Sequence, residues 1–208
     1  MGLELSERKR NIIFVNVLIG CIVSTMLSTA LTTILSSVMD SFNIDAAMGQ
    51  WLTSSYSLVM GIMMPLTAYL INTISTKKLY IVSIGLFIVG LIFCIFATKF
   101  EIMLLGRLIQ ACGAGILTAM TQVIALTIFP AEKRGTAMGW YGLSVGVAPV
   151  IAPTLAGIIS DSVGWRMFFV LVLIIAIISF IVSVFVFENV LETKNQKLDI
   201  ASFIYSIC

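Results

Sequence analysis

Six long apolar stretches set the strongest limit on how this chain of 208 residues can fold. They cover residues 12–35, 51–71, 79–97, 102–129, 136–159 and 167–187. Each is close to the ~20 apolar residues that a helix needs to cross a bilayer. Since only 11% of the residues are charged and the mean hydropathy is +1.11, lipid is the expected solvent for these segments. A helix in lipid satisfies its own backbone hydrogen bonds, so we predict an all-α membrane protein.

The residue types that many catalytic and metal sites need are scarce in this sequence. It contains no histidine, and its four cysteines (Cys21, Cys94, Cys112 and Cys208) form no C-x-x-C pair. Residues 142–146 match the G-x-S-x-G pattern of serine hydrolases, but they lie inside an apolar stretch and lack a histidine base. The basic residues form short clusters and no extended basic surface. We therefore expect neither an enzyme nor a nucleic-acid-binding protein, and no metal or cofactor.

Lysine and arginine are distributed unequally between the two ends of the predicted helices. Nine of the twelve lie at the N-terminus or after the second, fourth and sixth stretches, whereas Lys99 and Arg166 lie at the opposite ends. Because cytoplasmic loops are enriched in these residues, we predict a multi-pass plasma-membrane protein with a cytoplasmic N-terminus. The remaining basic residue, Arg107, lies inside the fourth stretch.

The order of polar and apolar segments predicts four regions. Residues 1–11 form a cytoplasmic N-terminus, residues 12–187 a six-helix bundle and residues 188–197 a cytoplasmic linker. Residues 198–208 are apolar again but too few to cross a bilayer, so they are predicted to begin a further helix. We expect the chain to be the N-terminal half of a longer protein, with the bilayer and a C-terminal bundle as its partners.

Two turns between helices resemble each other at an offset of 89 positions. Residues 72–77 and 161–166 each begin with a short polar residue and end with a cation. The two turns are predicted to lie on opposite sides of the membrane, so the three-helix units that contain them would be inverted repeats. Inverted repeats are typical of secondary transporters. Coincidence is the alternative interpretation, because many turns between helices have this composition.

The fifth stretch combines prolines with small residues at helical spacing. Small side chains recur every four positions on two neighbouring stripes, one of Gly142 and Gly146 and the other of Ala148, Ala152 and Ala156. The same stretch contains Pro149, Pro153 and Gly157. Such stripes allow helix backbones to approach closely in lipid. We predict that the glycines bring this helix close to a neighbour, and that the prolines kink it. A generic packing face is the alternative.

This segment resembles the antiporter motif on the fifth helix of the major facilitator superfamily. Residues 106–115 are similar to the superfamily's arginine motif on helix 4, and residues 130–139 to the loop that follows it. Residues 50–56, 164–168 and 198–199 resemble the fourteen-helix drug:proton antiporter family. The resemblance implies a six-helix N-terminal bundle of two inverted three-helix repeats. It also implies alternating access, in which a proton gradient drives the export of drugs or other small amphiphilic compounds.

Two other functions stay open beside multidrug efflux. One is a transporter of the same superfamily that is dedicated to a single metabolite. The other is a truncated half that does not transport. The loop after the second stretch also departs from the superfamily pattern, since Asn72 stands where an aspartate is usual. Together with their counterparts in the second turn, the polar residues here are the candidates for a gating loop: Asn72, Lys77, Lys78, Asp161 and Arg166.

Arg107 is the main candidate for a role in proton coupling or transport. A charge inside the bilayer is costly unless it is paired or reaches the interface. Arg107 therefore either extends to the outer surface or lines a central cavity; the resemblance favours the cavity and adds Gln110 as a neighbour. No Asp or Glu lies within the six apolar stretches, so a proton-carrying carboxylate is expected elsewhere in the protein.

Polar and methionine side chains on three of the predicted helices form the candidate cavity wall. They are Ser28, Thr32, Tyr56, Met60 and Gln122. Methionine suits an adaptable surface for varied substrates. The alternative for the hydroxyl residues is that they bond to the backbone of their own helix.

Overall fold

Six helices make up the part of the chain that the computed structural model describes, residues 6–187. They are α1 (Glu7–Phe42), α2 (Ala46–Thr73), α3 (Thr76–Ile95), α4 (Phe100–Ile128), α5 (Ala131–Val163) and α6 (Arg166–Val186). Each is long and apolar enough to cross a membrane. The prediction of an all-α membrane fold with six spans is therefore confirmed. The predicted linker at 188–197 and the predicted helix start at 198–208 lie outside the described residues.

Short turns join the helices, and residues with marked backbone preferences form them. α1 ends at Asn43, whose φ of 53° lies in the left-handed region that asparagine tolerates. α2 begins after Asp45, whose side chain accepts a hydrogen bond from the backbone N–H of Met48 at 2.8 Å. Gly164 ends α5 with a φ of 93°, which glycine adopts without strain. These tight turns make helices that follow each other in sequence run in opposite directions.

The helices pack in pairs that are related by an inverted repeat. α2 lies parallel to α4, because Leu52 is near Arg107 and Met60 is near Gly115. α1 lies parallel to α5 in the same manner. α1 runs antiparallel to α4, and α3 runs antiparallel to α6. Exchanging α1–α3 for α4–α6 maps these pairs onto each other, as expected for two three-helix units of opposite orientation.

Glycines bring α4 into close contact with α3 and α2. A side-chain carbon added to Gly90 would lie 2.6 Å from the carbonyl oxygen of Gly106. On Gly113 it would lie 2.8 Å from the backbone nitrogen of Phe87, and on Gly115 it would lie 2.7 Å from a side-chain carbon of α2. These distances are too short for non-bonded atoms, so a larger residue at these positions would force the helices apart.

On α5 the alanine stripe packs against the bundle, whereas the glycine stripe does not. Ala148, Ala152 and Ala156 are buried. Within the part of the chain that the structure describes, a side-chain carbon on Gly142 or Gly146 would meet nothing within 4 Å. Their side of α5 is exposed, so Gly142 and Gly146 do not bring α5 close to another helix of the described bundle, and their predicted packing role stays a prediction.

The remaining motif residues of α5 lie nearer to the bundle. Gly157 faces α1, where an added carbon would make an ordinary contact with Thr33 at 3.9 Å. Pro149 and Pro153 are half-buried, and α5 is helical on both sides of each of them. The close approach predicted for Gly157 is thus an ordinary van der Waals contact.

A buried polar network joins α1, α3 and α6. The side-chain amide of Asn16 donates to Ser183 Oγ at 2.7 Å, and its Oδ1 accepts from Ser179 Oγ at 2.9 Å. The hydroxyl of Tyr80 donates to the backbone carbonyl of Asn16 at 3.1 Å. All four side chains are buried, so their polar atoms depend on hydrogen bonds within the protein.

Candidate functional site

Arg107 lies in the interior of the bundle, between α2 and α4. Its side chain has no exposed surface. Its Nε donates to the backbone carbonyl of Leu52 at 3.4 Å, and one of its terminal nitrogens donates to Oε1 of Gln110. The guanidinium carbon lies 3.9 Å from the centre of the Tyr56 ring. The alternative in which Arg107 extends to the outer surface is therefore wrong, and in this structure the side chain does not face an open cavity either.

Helix packing explains why these groups meet. Leu52 and Tyr56 lie one turn apart on α2, and Arg107 and Gln110 lie one turn apart on α4. The two helices are parallel and approach closely where Gly115 contacts α2. The arginine of one helix therefore faces a turn of the other helix that offers a carbonyl and an aromatic ring.

The charge of Arg107 is compensated without a carboxylate among the described residues. The ion pairs given for residues 6–187 lie near the start of α1 and involve Glu7. An aromatic face, a backbone carbonyl and an amide oxygen take the place of a counter-ion at Arg107. Burying a cation this way is expensive, which favours a functional reason for it.

Two polar atoms beside Arg107 have no hydrogen-bond partner within residues 6–187. They are the hydroxyl oxygen of Tyr56 and Nε2 of Gln110, and both are buried. A hydrogen-bonding group that enters this site, such as water or a side chain from elsewhere in the protein, would find donors already in place.

The candidate cavity residues are distributed unevenly over the bundle. Thr32 and Gln122 are exposed, Ser28 and Met60 are half-buried, and Tyr56 is buried. The structure therefore does not bring all five together on one open wall. The hydroxyl of Thr32 donates to the carbonyl of Thr29 in its own helix at 2.6 Å, as the alternative interpretation of these residues expects.

A cleft of about 370 Å³ opens between α2, α4 and α5 beside Gln122. Its other lining residues mix apolar and polar side chains: Met64, Ala68, Ile71, Thr118, Ala119, Val123 and Tyr141. Of the candidate cavity residues, Gln122 alone lines this cleft. Thr118 and Tyr141 are additional polar groups here.

The candidate gating residues lie at both ends of the bundle. Asn72, at the end of α2, is exposed and donates from its side-chain amide to the carbonyl of Ala68 at 3.0 Å. Lys77 and Lys78 follow in the first turn of α3. This hydrogen bond holds the side chain of Asn72 against its own helix.

The residues of the second turn are held differently. Arg166 donates to the carbonyl of Ala97 at 2.9 Å, and its guanidinium carbon lies 4.3 Å from the centre of the Trp165 ring. Asp161 is exposed at the end of α5. Arg166 therefore ties the start of α6 to the end of α3.

Two features of the bundle interior were not among the candidate site residues identified from the sequence. One is the carbonyl of Leu52, since a backbone acceptor has no signature in residue type. The other is the Asn16 network, for which signals existed: Asn16 interrupts an apolar stretch, and Ser179 and Ser183 are spaced one turn apart on α6.

Comparison with known proteins assigns the fold to a family. A model of the Major Facilitator Superfamily matches residues 17–202. The chain belongs to this superfamily. This membership confirms the resemblance to the superfamily noted from the sequence, and the relatives in it are transporters, not enzymes.

Individual relatives match most of the chain. It is 39% identical over 205 residues to the uncharacterized MFS-type transporter YcnB of Bacillus subtilis (strain 168). This match covers 99% of the chain and 43% of YcnB. It is 34% identical over 168 residues to the lincomycin resistance protein LmrB of the same strain, covering 81% of this chain and 35% of LmrB. The chain thus spans less than half the length of these relatives.

Solved structures support the same fold. A mutant of the peptide transporter POT in complex with sulfate superposes with a TM-score of 0.77 at 12% sequence identity. The match covers 93% of this chain and 42% of POT. At this identity the likeness establishes the six-helix architecture and does not extend to substrate.

Proposed function

We propose that the chain is the N-terminal half of a proton-coupled exporter of drugs or other amphiphilic compounds. The observation that carries the proposal is Arg107, a fully buried cation that no carboxylate of the described residues neutralises. The name of LmrB, a lincomycin resistance protein, supports drugs as the substrate class. The exporter would lie in the plasma membrane and operate by alternating access, with a second bundle packed against this one.

Arg107 would link proton movement to the position of the helices. A cation favours the ionised form of a carboxyl group that comes near it. A carboxylate from the rest of the protein that approached Arg107 in one conformation would release its proton there and take one up after moving away. The unpartnered hydroxyl of Tyr56 and amide nitrogen of Gln110 offer hydrogen bonds to such a group.

The proposed orientation of the bundle in the membrane rests on how charged residues are distributed between its two ends. Among the described residues, seven basic side chains lie at the end of the bundle that contains the start of α1: Arg8, Lys9, Arg10, Lys77, Lys78, Lys133 and Arg134. Only Lys99 and Arg166 are found at the other end of the described helices, together with four acidic residues: Asp40, Asp45, Glu101 and Asp161. We propose that the start of α1 faces the cytoplasm.

Drug-dependent proton flux in inverted vesicles tests the mechanism. The vesicles carry the full-length protein, and Arg107→Lys is compared with Arg134→Lys, which changes an exposed arginine in the first turn of α5. A lysine keeps the charge but lacks the planar group that stacks on Tyr56 and donates in two directions, so we expect Arg107→Lys to lose most of the flux. Arg134→Lys should behave as the wild type, and membrane abundance should be equal in both variants.

The outcomes separate the candidate functions. Wild-type flux from Arg107→Lys contradicts a role of Arg107 in coupling. Flux with one compound and none with a panel of unrelated amphiphiles indicates a dedicated metabolite transporter. No flux with any compound, at normal abundance, contradicts the exporter itself.

A further inference from the structure

A branched groove lies on one side of α1, near the start of the helix. One branch, of about 610 Å³, runs between α1 and α6, and the other, of about 540 Å³, runs between α1 and α5. Asn11 and Val15 line both branches, so the branches meet on α1. Each volume falls in the ~300–1,000 Å³ range of sites that bind small ligands.

The walls of the groove are apolar and open to the outside of the bundle. Val15 is 53% exposed, Ile178 of the α6 branch is 57% exposed, and Trp140 of the α5 branch is 58% exposed. At about 100° per residue, Ser28 lies ~140° around α1 from Val15. The groove therefore lies on a different face of α1 from this candidate cavity residue.

Basic side chains lie at the mouth of each branch. Arg8 lines the branch beside α6, and Lys133 lines the branch beside α5. Lys133 pairs with Glu7 at 3.3 Å, whereas Arg8 is exposed and makes no ion pair with any residue between 6 and 187. Segments 6–11 and 130–136 together contain five basic and two acidic residues, so the mouth is positively charged.

We propose that this groove binds one anionic diacyl phospholipid, with one acyl chain in each branch and the phosphate beside Arg8. Two apolar branches that join below a cation match a ligand with two apolar chains and one anionic head. Basic pockets between membrane helices are known to bind anionic headgroups. Asn11, at the junction of the branches, adds an amide where the polar glycerol esters of the lipid would lie. The site is separate from Arg107 and does not depend on the transported substrate.

Native mass spectrometry of the full-length protein tests the site. The protein is released from detergent after addition of phosphatidylglycerol or of phosphatidylcholine, and the bound lipid is counted. Arg8→Gln removes the cation, and Val15→Trp fills the junction. Lys99→Gln and Val82→Trp are the matched controls, because Lys99 is an exposed cation at the other end of the bundle and Val82 of α3 is 55% exposed.

We expect the wild type to retain phosphatidylglycerol in preference to phosphatidylcholine. Arg8→Gln should reduce this retention about fivefold, the effect expected for one basic residue near an anionic surface. Val15→Trp should reduce it at least as much, and both controls should bind as the wild type. Arg8→Gln alters only an exposed side chain, so it keeps the test valid even if Val15→Trp fails to fold.

Three results would overturn the proposal. The first is wild-type retention by both Arg8→Gln and Val15→Trp. The second is equal retention of the two lipids by the wild type, which would show an apolar groove without a headgroup site. The third is a wild type that retains no lipid because another part of the protein fills the groove. Residues beyond 187 or a second copy of the chain could fill it. A second copy would be visible as a dimer that Val15→Trp dissociates.

Discussion

Replacing Gly113 with alanine tests the contact that holds α3 against α4. The added carbon would lie 2.8 Å from the backbone nitrogen of Phe87, 3.1 Å from its Cβ and closer still to the carbonyl oxygen of Ser83. Two of these three atoms belong to the backbone, so no change of rotamer can move them away. The helices must separate, and overpacking of this kind destabilises a core by about 1–3 kcal/mol.

The same substitution at Gly146 is the matched control. No atom of residues 6–187 lies within 4 Å of the carbon that alanine would add there. Alanine is a better helix former than glycine by about 1 kcal/mol, so the control should be neutral or stabilising. A change of 1 kcal/mol shifts the melting temperature by about 2–4 °C for a folded unit of about 150–250 residues, the size of this bundle. We therefore expect Gly113→Ala to lower it by roughly 2–12 °C, and Gly146→Ala to leave it unchanged or raise it by up to about 4 °C.

The measurement uses the full-length protein in detergent. Samples are heated in steps, and the fraction that stays monodisperse is measured by size-exclusion chromatography. A melting temperature for Gly113→Ala equal to that of the wild type would refute the close contact of α3 and α4. An equal decrease in both variants would show that glycine is needed for a reason other than this contact.

Three further predictions concern topology, the ring over the buried arginine and the polar network of α1. In intact cells, a membrane-impermeant thiol reagent should label a cysteine placed at Asp45 and spare one placed at Lys77; strong labelling at Lys77 contradicts the proposed orientation. Tyr56→Phe keeps the aromatic face and should retain drug-dependent proton flux, whereas Tyr56→Leu should lose most of it; equal flux would remove the cation–π contact from the mechanism. Asn16→Leu removes the acceptor of Ser179 and should lower stability by about 1–3 kcal/mol in the same thermal assay, and an unchanged melting temperature would show that the network contributes nothing.

The helices could be predicted from the sequence because lipid leaves few alternatives for a long apolar stretch. The fourth stretch, 102–129, differs by two residues or fewer at each end from α4, Phe100–Ile128. The first stretch, 12–35, is shorter than α1, which runs from Glu7 to Phe42. Polar residues beyond the apolar core can continue a helix, and Ser6 caps this one by accepting a hydrogen bond from the N–H of Lys9.

Helix contacts were harder to predict than helices. Both α4 and α5 are rich in glycine, but only the glycines of α4 approach a described neighbour closely. A small residue permits a close contact without requiring one. The neighbouring helix must also carry a small residue at the matching position. Gly90 of α3 meets this condition, because it lies opposite Gly106 of α4. The residue pattern of one helix does not reveal which residue of another helix will lie opposite a given glycine.

Arg107 could be found from the sequence, but its surroundings could not. Its position in an apolar stretch marked it, and Gln110 was the natural neighbour on the same helix. The acceptor on the other helix is the backbone carbonyl of Leu52, 55 residues away, which any residue at that position would supply. No side-chain substitution of Leu52 removes that carbonyl, so this hydrogen bond depends on where α2 lies along α4. A movement of α2 past α4 during transport would break it, whereas the hydrogen bond to Gln110, within α4, would move with the arginine.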